Sequence, residues 1–231
     1  MKKFLLLIVL LLVPLLTFAS DDSSSIVLEK APINVHDKSS LMRGAKSFKT
    51  LCMTCHALRM LQYNSFAKKA GITIDLMPAK DKEWWFAKAP PDLSLTVSQH
   101  GADWIYTYLQ VFYQDPAVKI GSNNLLVPNS SMPNLFLGLQ GKQELNANRE
   151  KALNEHWRKP HYYSLLNKTS PGSMTNEQFE QTVADITNFL AYASEPSKLQ
   201  RERTGVWVIL FLVVFLVLAY FLKREYWKDI E

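Results

Sequence analysis

The sequence predicts a mostly α-helical protein, with one domain that has long loops and one C-terminal transmembrane helix. Three features of the 231-residue chain support this fold class. Apolar residues recur at helical spacing in several segments of the central region. The sequence shows no strand-rich stretch and no internal repeat. An uncharged apolar run extends from Val206 to Leu222, which is long enough to suggest a membrane span.

Three segments of the central region have the apolar spacing of a helix. The first begins near residue 39, the second spans about residues 102–113, and the third begins at Thr175. Thr175 and Gln178 have the spacing of a capping box, and Glu195 with Pro196 ends this third helix. Two segments rich in turn-forming residues are predicted to be irregular: 71–98 and 114–135.

The N-terminus has the pattern of a secretory signal peptide. Two lysines precede an apolar run over residues 4–16, and small residues follow it up to Ala19. This run is shorter than the roughly 18 residues expected of a spanning helix. We therefore expect residues 1–19 to be a signal peptide and residues 20–203 to be an exported domain. An uncleaved N-terminal anchor is the alternative.

Cys52, Cys55 and His56 form a Cys-x-x-Cys-His motif, and the chain contains only these two cysteines. This motif is the attachment signature of a c-type haem. Two sulfurs at positions i and i+3 of a helical segment reach the same side, where they bond the two vinyl groups of one porphyrin. The adjacent imidazole then becomes the proximal iron ligand. The motif predicts one covalently attached haem c.

Other functions of a Cys-x-x-Cys pair are less consistent with this sequence. A structural zinc site needs four Cys or His ligands, usually in two spaced pairs, and the sequence has no second pair. A redox dithiol is expected beside a βαβ unit, which the pattern does not predict. A disulfide across two residues closes too short a loop to stabilise the fold much.

The C-terminal apolar run predicts a membrane span over residues 204–222. Nineteen residues extend about 28 Å as a helix, which matches a bilayer core. Trp207 lies near one end, and Tyr220, Tyr226 and Trp227 lie near the other, as in an aromatic belt. The basic residues on the two sides are balanced, so the signal peptide determines the expected orientation. Residues 20–203 would then be periplasmic and residues 223–231 cytoplasmic.

Met132 is the predicted second axial ligand of the iron. It lies between Pro128 and Pro133 in a loop that these prolines stiffen. His100 is the main alternative ligand. Methionine ligation raises the reduction potential, and two filled axial positions leave no open site for a substrate, so an electron carrier is favoured over a catalyst or gas sensor. The modest net charge of +5 does not indicate nucleic-acid binding.

The chain resembles the cytochrome c1 family, which supplies the haem c subunit of ubiquinol–cytochrome c reductase. Five segments match in the family's order, and they are RGAKSFKTLCMTCH, APPDLS, DWIYTYL, VPNSSMPNLFLGLQG and DITNFLAYASEP. The resemblance covers nearly the whole chain after the signal peptide. It implies a cytochrome c-like haem domain held by a C-terminal anchor.

The resemblance also implies roles for individual residues. Covalent attachment falls on Cys52 and Cys55, and axial ligation falls on His56 and Met132. Three further residues would contact the haem, and they are Pro90, Pro91 and Trp104. Relatives commonly have a propionate-binding arginine where this chain has Gln99. The resemblance therefore does not imply this propionate contact for this chain.

The implied function is the relay of single electrons from a Rieske iron–sulfur protein to a cytochrome c. The partners would be cytochrome b and the Rieske protein in a dimeric complex of a bacterial inner membrane. The chain would be the electron-transfer subunit of that enzyme, with no substrate chemistry of its own. The alternatives are a haem c subunit of a terminal oxidase or nitric oxide reductase, and a membrane-tethered haem sensor.

Overall fold

The computed structural model describes residues 26–79, 89–146 and 161–228. Within these ranges the α-helices are α1 (Lys38–Leu51), α2 (Ser65–Lys69), α3 (Thr96–His100), α4 (Ala102–Gln110), α5 (Leu137–Gln140), α6 (Asn176–Ser194) and α7 (Lys198–Tyr226). The strands are β1 (Phe112–Gln114), β2 (Ser122–Asn124), β3 (Gly141–Leu145) and β4 (Leu166–Pro171). Single 3₁₀ turns lie at Arg59–Leu61, Ile74–Leu76 and Tyr162–Ser164. The described part is mostly helical, as the sequence predicts.

Both long helices of the domain begin with side-chain caps. The Asp37 carboxylate accepts hydrogen bonds from the backbone N–H groups of Ser39 and Ser40, so α1 begins at Lys38. In α6 the Thr175 hydroxyl accepts from the N–H of Gln178, and the Gln178 side chain accepts from the N–H of Thr175. The predicted capping box and the predicted start of the first helix are therefore confirmed.

Gly44 allows α1 and α6 to approach closely. A Cβ atom at this position would lie 1.9 Å from the backbone oxygen of Asp185 and 2.9 Å from the Cβ of Phe189. Beside this contact, Arg43 Nε and Nη2 donate to the two carboxylate oxygens of the buried Asp185 at 2.6 and 2.9 Å. Ser40 donates to the same carboxylate at 2.6 Å. The buried charge is therefore fully paired at the helix contact.

The second helix of the sequence prediction is shorter in the structure than expected. α4 ends at Gln110, and residues 112–114 pair with residues 122–124 as an antiparallel ribbon. Phe112 and Tyr113 are aromatic residues that favour extended backbone, and both are buried in this ribbon. A second ribbon pairs β3 with β4, with a register shift between Lys142 and Gln143. The segment 114–135 is thus not entirely irregular.

α7 contains the apolar run that predicts a membrane span. It has 29 residues, or about 43 Å at 1.5 Å per residue, and the large apolar side chains from Val206 to Leu222 are exposed. Among the helices in the described ranges, α7 is the one that is long and apolar enough to cross a membrane. Such a surface is stable in lipid rather than in water. The predicted signal peptide lies outside the described residues.

Substituting Gly44 tests the helix contact. We expect Gly44→Ala to destabilise the domain by about 2–3 kcal/mol, because the added Cβ overlaps the α6 backbone. For a domain of this size that corresponds to a fall in Tm of about 4–12 °C. Thermal melting of the detergent-solubilised chain measures it. Gly138→Ala is the matched control, since a Cβ there has no neighbour within 4 Å. Equal Tm values for both variants would contradict the close packing.

Candidate haem-binding site

The Cys-x-x-Cys-His motif forms a tight turn directly after α1. The N–H of Cys52 donates to Phe48 O at 2.8 Å, so this residue closes the helix. The carbonyl of Cys52 then accepts from the N–H groups of Cys55 at 3.1 Å and His56 at 2.8 Å. Both cysteines of this turn are free thiols. Burial raises the pKa of the Cys52 thiol to about 12, and the nearby Cys55 adds to this shift.

His56 is buried, and one of its ring nitrogens has a fixed partner. Nδ1 lies 2.8 Å from the carbonyl oxygen of Pro91. A carbonyl only accepts, so Nδ1 carries the proton and Nε2 keeps its lone pair. Burial lowers the pKa of His56, although the Pro91 carbonyl and Asp92 oppose this shift. The ring is therefore neutral at pH 7 and leaves the Nε2 lone pair available to bind a metal. A hydrogen bond from the other ring nitrogen to a carbonyl is typical of metal-bound histidine.

The segment that contains Pro91 is tied to the segment that follows His56. The N–H of Leu93 donates to Ala57 O at 2.9 Å, and the N–H of Arg59 donates to an Asp92 carboxylate oxygen at 3.0 Å. The other oxygen of Asp92 accepts from the N–H of Ser94 at 2.8 Å. These bonds hold the Pro91 carbonyl in place although the segment has no regular secondary structure before α3.

A cavity of about 440 Å³ lies beside the second cysteine. Its described lining includes Cys55, Pro90, Gln99 and Arg59. The Arg59 guanidinium donates to Pro78 O at 2.6 Å and lies 3.9 Å from the Asp92 carboxylate. The structure thus brings Pro90 and Gln99, which the sequence analysis singled out, to the same cavity as Cys55. Residues 80–88, which connect Ala79 to Ala89 beside this cavity, lie outside the described residues.

The Met132 loop is held by polar side chains of β2. Ser122 Oγ accepts from the N–H of Asn134 at 3.1 Å, and Asn123 Oδ1 accepts from the N–H of Asn129 at 2.7 Å. Asn129 has a positive φ of 60°, so this bond supports a costly backbone conformation. Asn124 Oδ1 accepts from the N–H groups that begin the loop. Consecutive side chains of one short strand therefore fix the loop's two ends and its middle.

Trp104 and Met132 are connected through Tyr108. The rings of Trp104 and Tyr108 stack with centroids 5.0 Å apart, and the Tyr108 hydroxyl lies 3.6 Å from Sδ of Met132. Burial raises the pKa of Tyr108, so this hydroxyl keeps its proton at neutral pH. His100, the alternative axial ligand, is exposed and stacks on the other side of Trp104 at 4.6 Å.

Sequence reasoning did not identify several residues that shape this site. They are Tyr108, Ser122, Asn123, Asn124 and Ser130. Tyr108 lies one helical turn after Trp104, and this spacing in the sequence could have indicated that the two rings stack. From the polar residues of 122–130 the sequence predicts only a loop. Their spacing does not show which backbone groups they bind.

These residues fit a covalently bound haem c. The donor set is a neutral buried imidazole with a fixed tautomer and two unpaired thiols in one turn. A thioether in a braced loop is the predicted second axial donor. Together with the mainly helical domain and the apolar α7, they define the class of membrane-anchored c-type cytochromes.

The comparisons with known proteins identify the family. A model of the Cytochrome C1 family matches residues 28–84 and 167–230. A cytochrome c1 from Allochromatium vinosum is 38% identical over 88% of this chain and 90% of its own length. An ammonia monooxygenase gamma subunit from Nitrosomonas europaea is 39% identical over 100% of this chain and 99% of its own length. The mitochondrial cytochrome c1 of Schizosaccharomyces pombe is 25% identical over 84% of this chain.

The chain belongs to the cytochrome c1 family. Its cofactor is accordingly one covalent haem c, as the motif predicts. The fold class predicted from the sequence is also confirmed. The predicted ligand residues are placed consistently with this cofactor, and their individual roles stay predictions.

Removing the Asn123 side chain tests the support of the Met132 loop. We expect Asn123→Ala to accelerate amide hydrogen exchange across residues 127–134, because Asn129 N–H loses its acceptor. Losing this partly buried hydrogen bond costs about 0.5–1.5 kcal/mol locally. Mass-spectrometric exchange measures this effect. Asn64→Ala, which removes a cap of α2 elsewhere, serves as the control and should leave 127–134 unchanged. Unchanged exchange in Asn123→Ala would contradict the role given to β2.

Proposed function

We propose that this chain is the electron-transfer subunit of a membrane quinol–cytochrome c reductase. It would accept single electrons from a Rieske iron–sulfur protein and pass them to a cytochrome c. The observation that carries this proposal is the buried His56, whose Nδ1 is committed to Pro91 O in a chain of the cytochrome c1 family. A neutral imidazole oriented in this way suits permanent iron ligation rather than proton transfer.

The proposed site residues have distinct roles. Cys52 and Cys55 would hold the haem through two thioether bonds to its vinyl groups. His56 Nε2 and Met132 Sδ would hold the haem iron. Pro91 fixes the His56 ring through its carbonyl, and Pro90 and Trp104 would contact the haem. The bound haem c supplies a one-electron iron couple.

The proposed topology follows from the apolar segments. Residues 1–19 are a signal peptide, residues 20–203 a periplasmic haem domain, residues 204–222 the membrane span and residues 223–231 a cytoplasmic tail. The exposed apolar surface of α7 supports the span. The protein would then be a single-pass protein of a bacterial inner membrane, assembled with cytochrome b and the Rieske protein in a dimeric complex.

The relative named as an ammonia monooxygenase gamma subunit supports a second candidate. Its 39% identity over the whole chain is close to the 38% of the cytochrome c1 from A. vinosum. The alternative function is a haem c subunit of another membrane oxidoreductase, here an ammonia-oxidising enzyme. The site geometry suits either enzyme, because both functions need the same haem ligands. The partner chains distinguish the two candidates.

Substituting Met132 tests the second axial ligand. We expect Met132→Leu to keep the haem covalently bound but to lower its reduction potential, because the thioether that favours reduced iron is lost. Redox titration of the solubilised protein measures this change. Met174→Leu is a matched control, since that sulfur accepts a hydrogen bond from Thr182. An unchanged potential in Met132→Leu would exclude Met132 as a ligand and leave His100 as the candidate.

Affinity purification of the full-length chain in mild detergent tests the proposed complex. We expect a di-haem cytochrome b and a Rieske protein to co-purify, together with quinol-dependent reduction of added cytochrome c. Cys55→Ala is the control, because loss of one thioether should impair haem attachment and abolish that activity. Co-purification with ammonia monooxygenase or terminal oxidase subunits instead would reject the proposed function.

A further inference from the structure

The Tyr108 hydroxyl, the Ser130 hydroxyl and Met132 are in mutual contact. Tyr108 Oη lies 3.6 Å from Met132 Sδ and 3.1 Å from Ser130 Oγ. Ser130 Oγ also lies 3.2 Å from the backbone nitrogen of Met132. Three hydrogen-bonding contacts therefore form a closed ring that begins and ends on the same methionine.

The chemistry of these groups fixes the direction of each bond. A thioether sulfur has no proton, so Tyr108 must be the donor to Met132. The single phenolic proton is then used, and Ser130 must donate to Tyr108 Oη. The Ser130 oxygen accepts from the N–H of Met132. Every proton in the ring has one acceptor, and bonds joined in this way strengthen one another.

The Tyr108 ring is held by contacts other than the one with the methionine. Its ring stacks on Trp104 at an interplanar angle of 8°, and its edge contacts Phe112 with centroids 5.1 Å apart. The backbone carbonyl of Tyr108 accepts from Asn124 Nδ2 at 2.9 Å, which links α4 to the strand that holds the Met132 loop. Groups outside the hydrogen-bonded ring of Tyr108, Ser130 and Met132 therefore help to direct the Tyr108 hydroxyl at the sulfur.

We propose that Tyr108 is a positioning residue that acts through Met132 to raise the reduction potential of the haem. This inference rests on the proposed function, in which Met132 is an axial ligand. A thioether sulfur has two lone pairs, so one can bond iron while the other accepts the Tyr108 proton. The hydrogen bond withdraws electron density from the sulfur. Oxidised iron needs that density more than reduced iron does, so the reduced state is favoured.

Removing the Tyr108 hydroxyl tests the proposal. We expect Tyr108→Phe to change the equilibrium constant between oxidised and reduced iron by up to about tenfold in favour of the oxidised form. This change corresponds to a fall of about 59 mV in the reduction potential for one electron. The absorption band of thioether-to-ferric-iron charge transfer should persist, because Met132 remains bound. Tyr106→Phe is the matched control on the same helix, since Tyr106 lines a different cavity with Glu29 and Tyr162. A wild-type potential in Tyr108→Phe would overturn the proposal.

Ser130 provides a second test that keeps the aromatic ring intact. We expect Ser130→Ala to lower the potential by less than Tyr108→Phe, because the Tyr108 hydroxyl loses the donor that orients it. Ser130→Thr retains a hydroxyl and should restore the wild-type potential. If the Tyr108→Phe variant does not incorporate haem, the comparison of Ser130→Ala with Ser130→Thr tests the proposal in its place. Equal potentials for the Ala and Thr variants would then overturn the proposal.

Met132→Leu separates failure of this inference from failure of the proposed function. A lowered potential in Met132→Leu with a wild-type potential in Tyr108→Phe leaves the methionine as ligand and rejects only the tuning hydrogen bond. An unchanged potential in Met132→Leu rejects the axial assignment, and the proposal for Tyr108 falls with it. Lowered potentials in both variants support the inference.

Discussion

The close contact between α1 and α6 is the constraint on which the haem site depends. Cys52 closes α1, so the position of this helix determines where both thiols and His56 lie. α1 is held against α6 where Gly44 leaves no room for a side chain, and the paired Asp185 carboxylate lies beside that contact. The Arg43 side chain is about half exposed, but the Asp185 carboxylate is buried. Sliding either helix would take this carboxylate away from its donors, which favours one register of the two helices. A shift of either helix would move the whole attachment motif.

The rest of the site is built from irregular segments that side chains hold in place. Asp92 fixes the segment that contains Pro91, and Ser122 to Asn124 fix the loop that contains Met132. Short polar side chains bind backbone groups that would otherwise be buried without partners. This arrangement lets irregular segments of the described chain present groups at defined positions. It also explains why the predicted long loops are compatible with a well-defined site.

Local patterns in the sequence were sufficient to predict the features that depend on neighbouring residues. The attachment motif, the capping box at Thr175 and the apolar run of α7 each lie within one short segment. Contacts between distant segments were not predictable in the same way. The bond from His56 to Pro91 spans 35 residues, and the contact of Tyr108 with Met132 spans 24. The end of α4 was also predicted incorrectly, because pairing with β2 extends Phe112 and Tyr113 out of the helical pattern.

The connection between the domain and its anchor limits how the haem site is oriented relative to the membrane. Only residues 195–197 separate α6 from α7, and α7 begins eight residues before the apolar run at Val206. Eight helical residues extend about 12 Å, so the anchor leaves the lipid as a helix before it meets the domain. An exposed ion pair of Arg201 with Glu195 and an exposed contact of His36 with Glu202 lie at this junction, and both contribute little. The short covalent link is therefore the main restraint, and it keeps the domain close to the membrane surface.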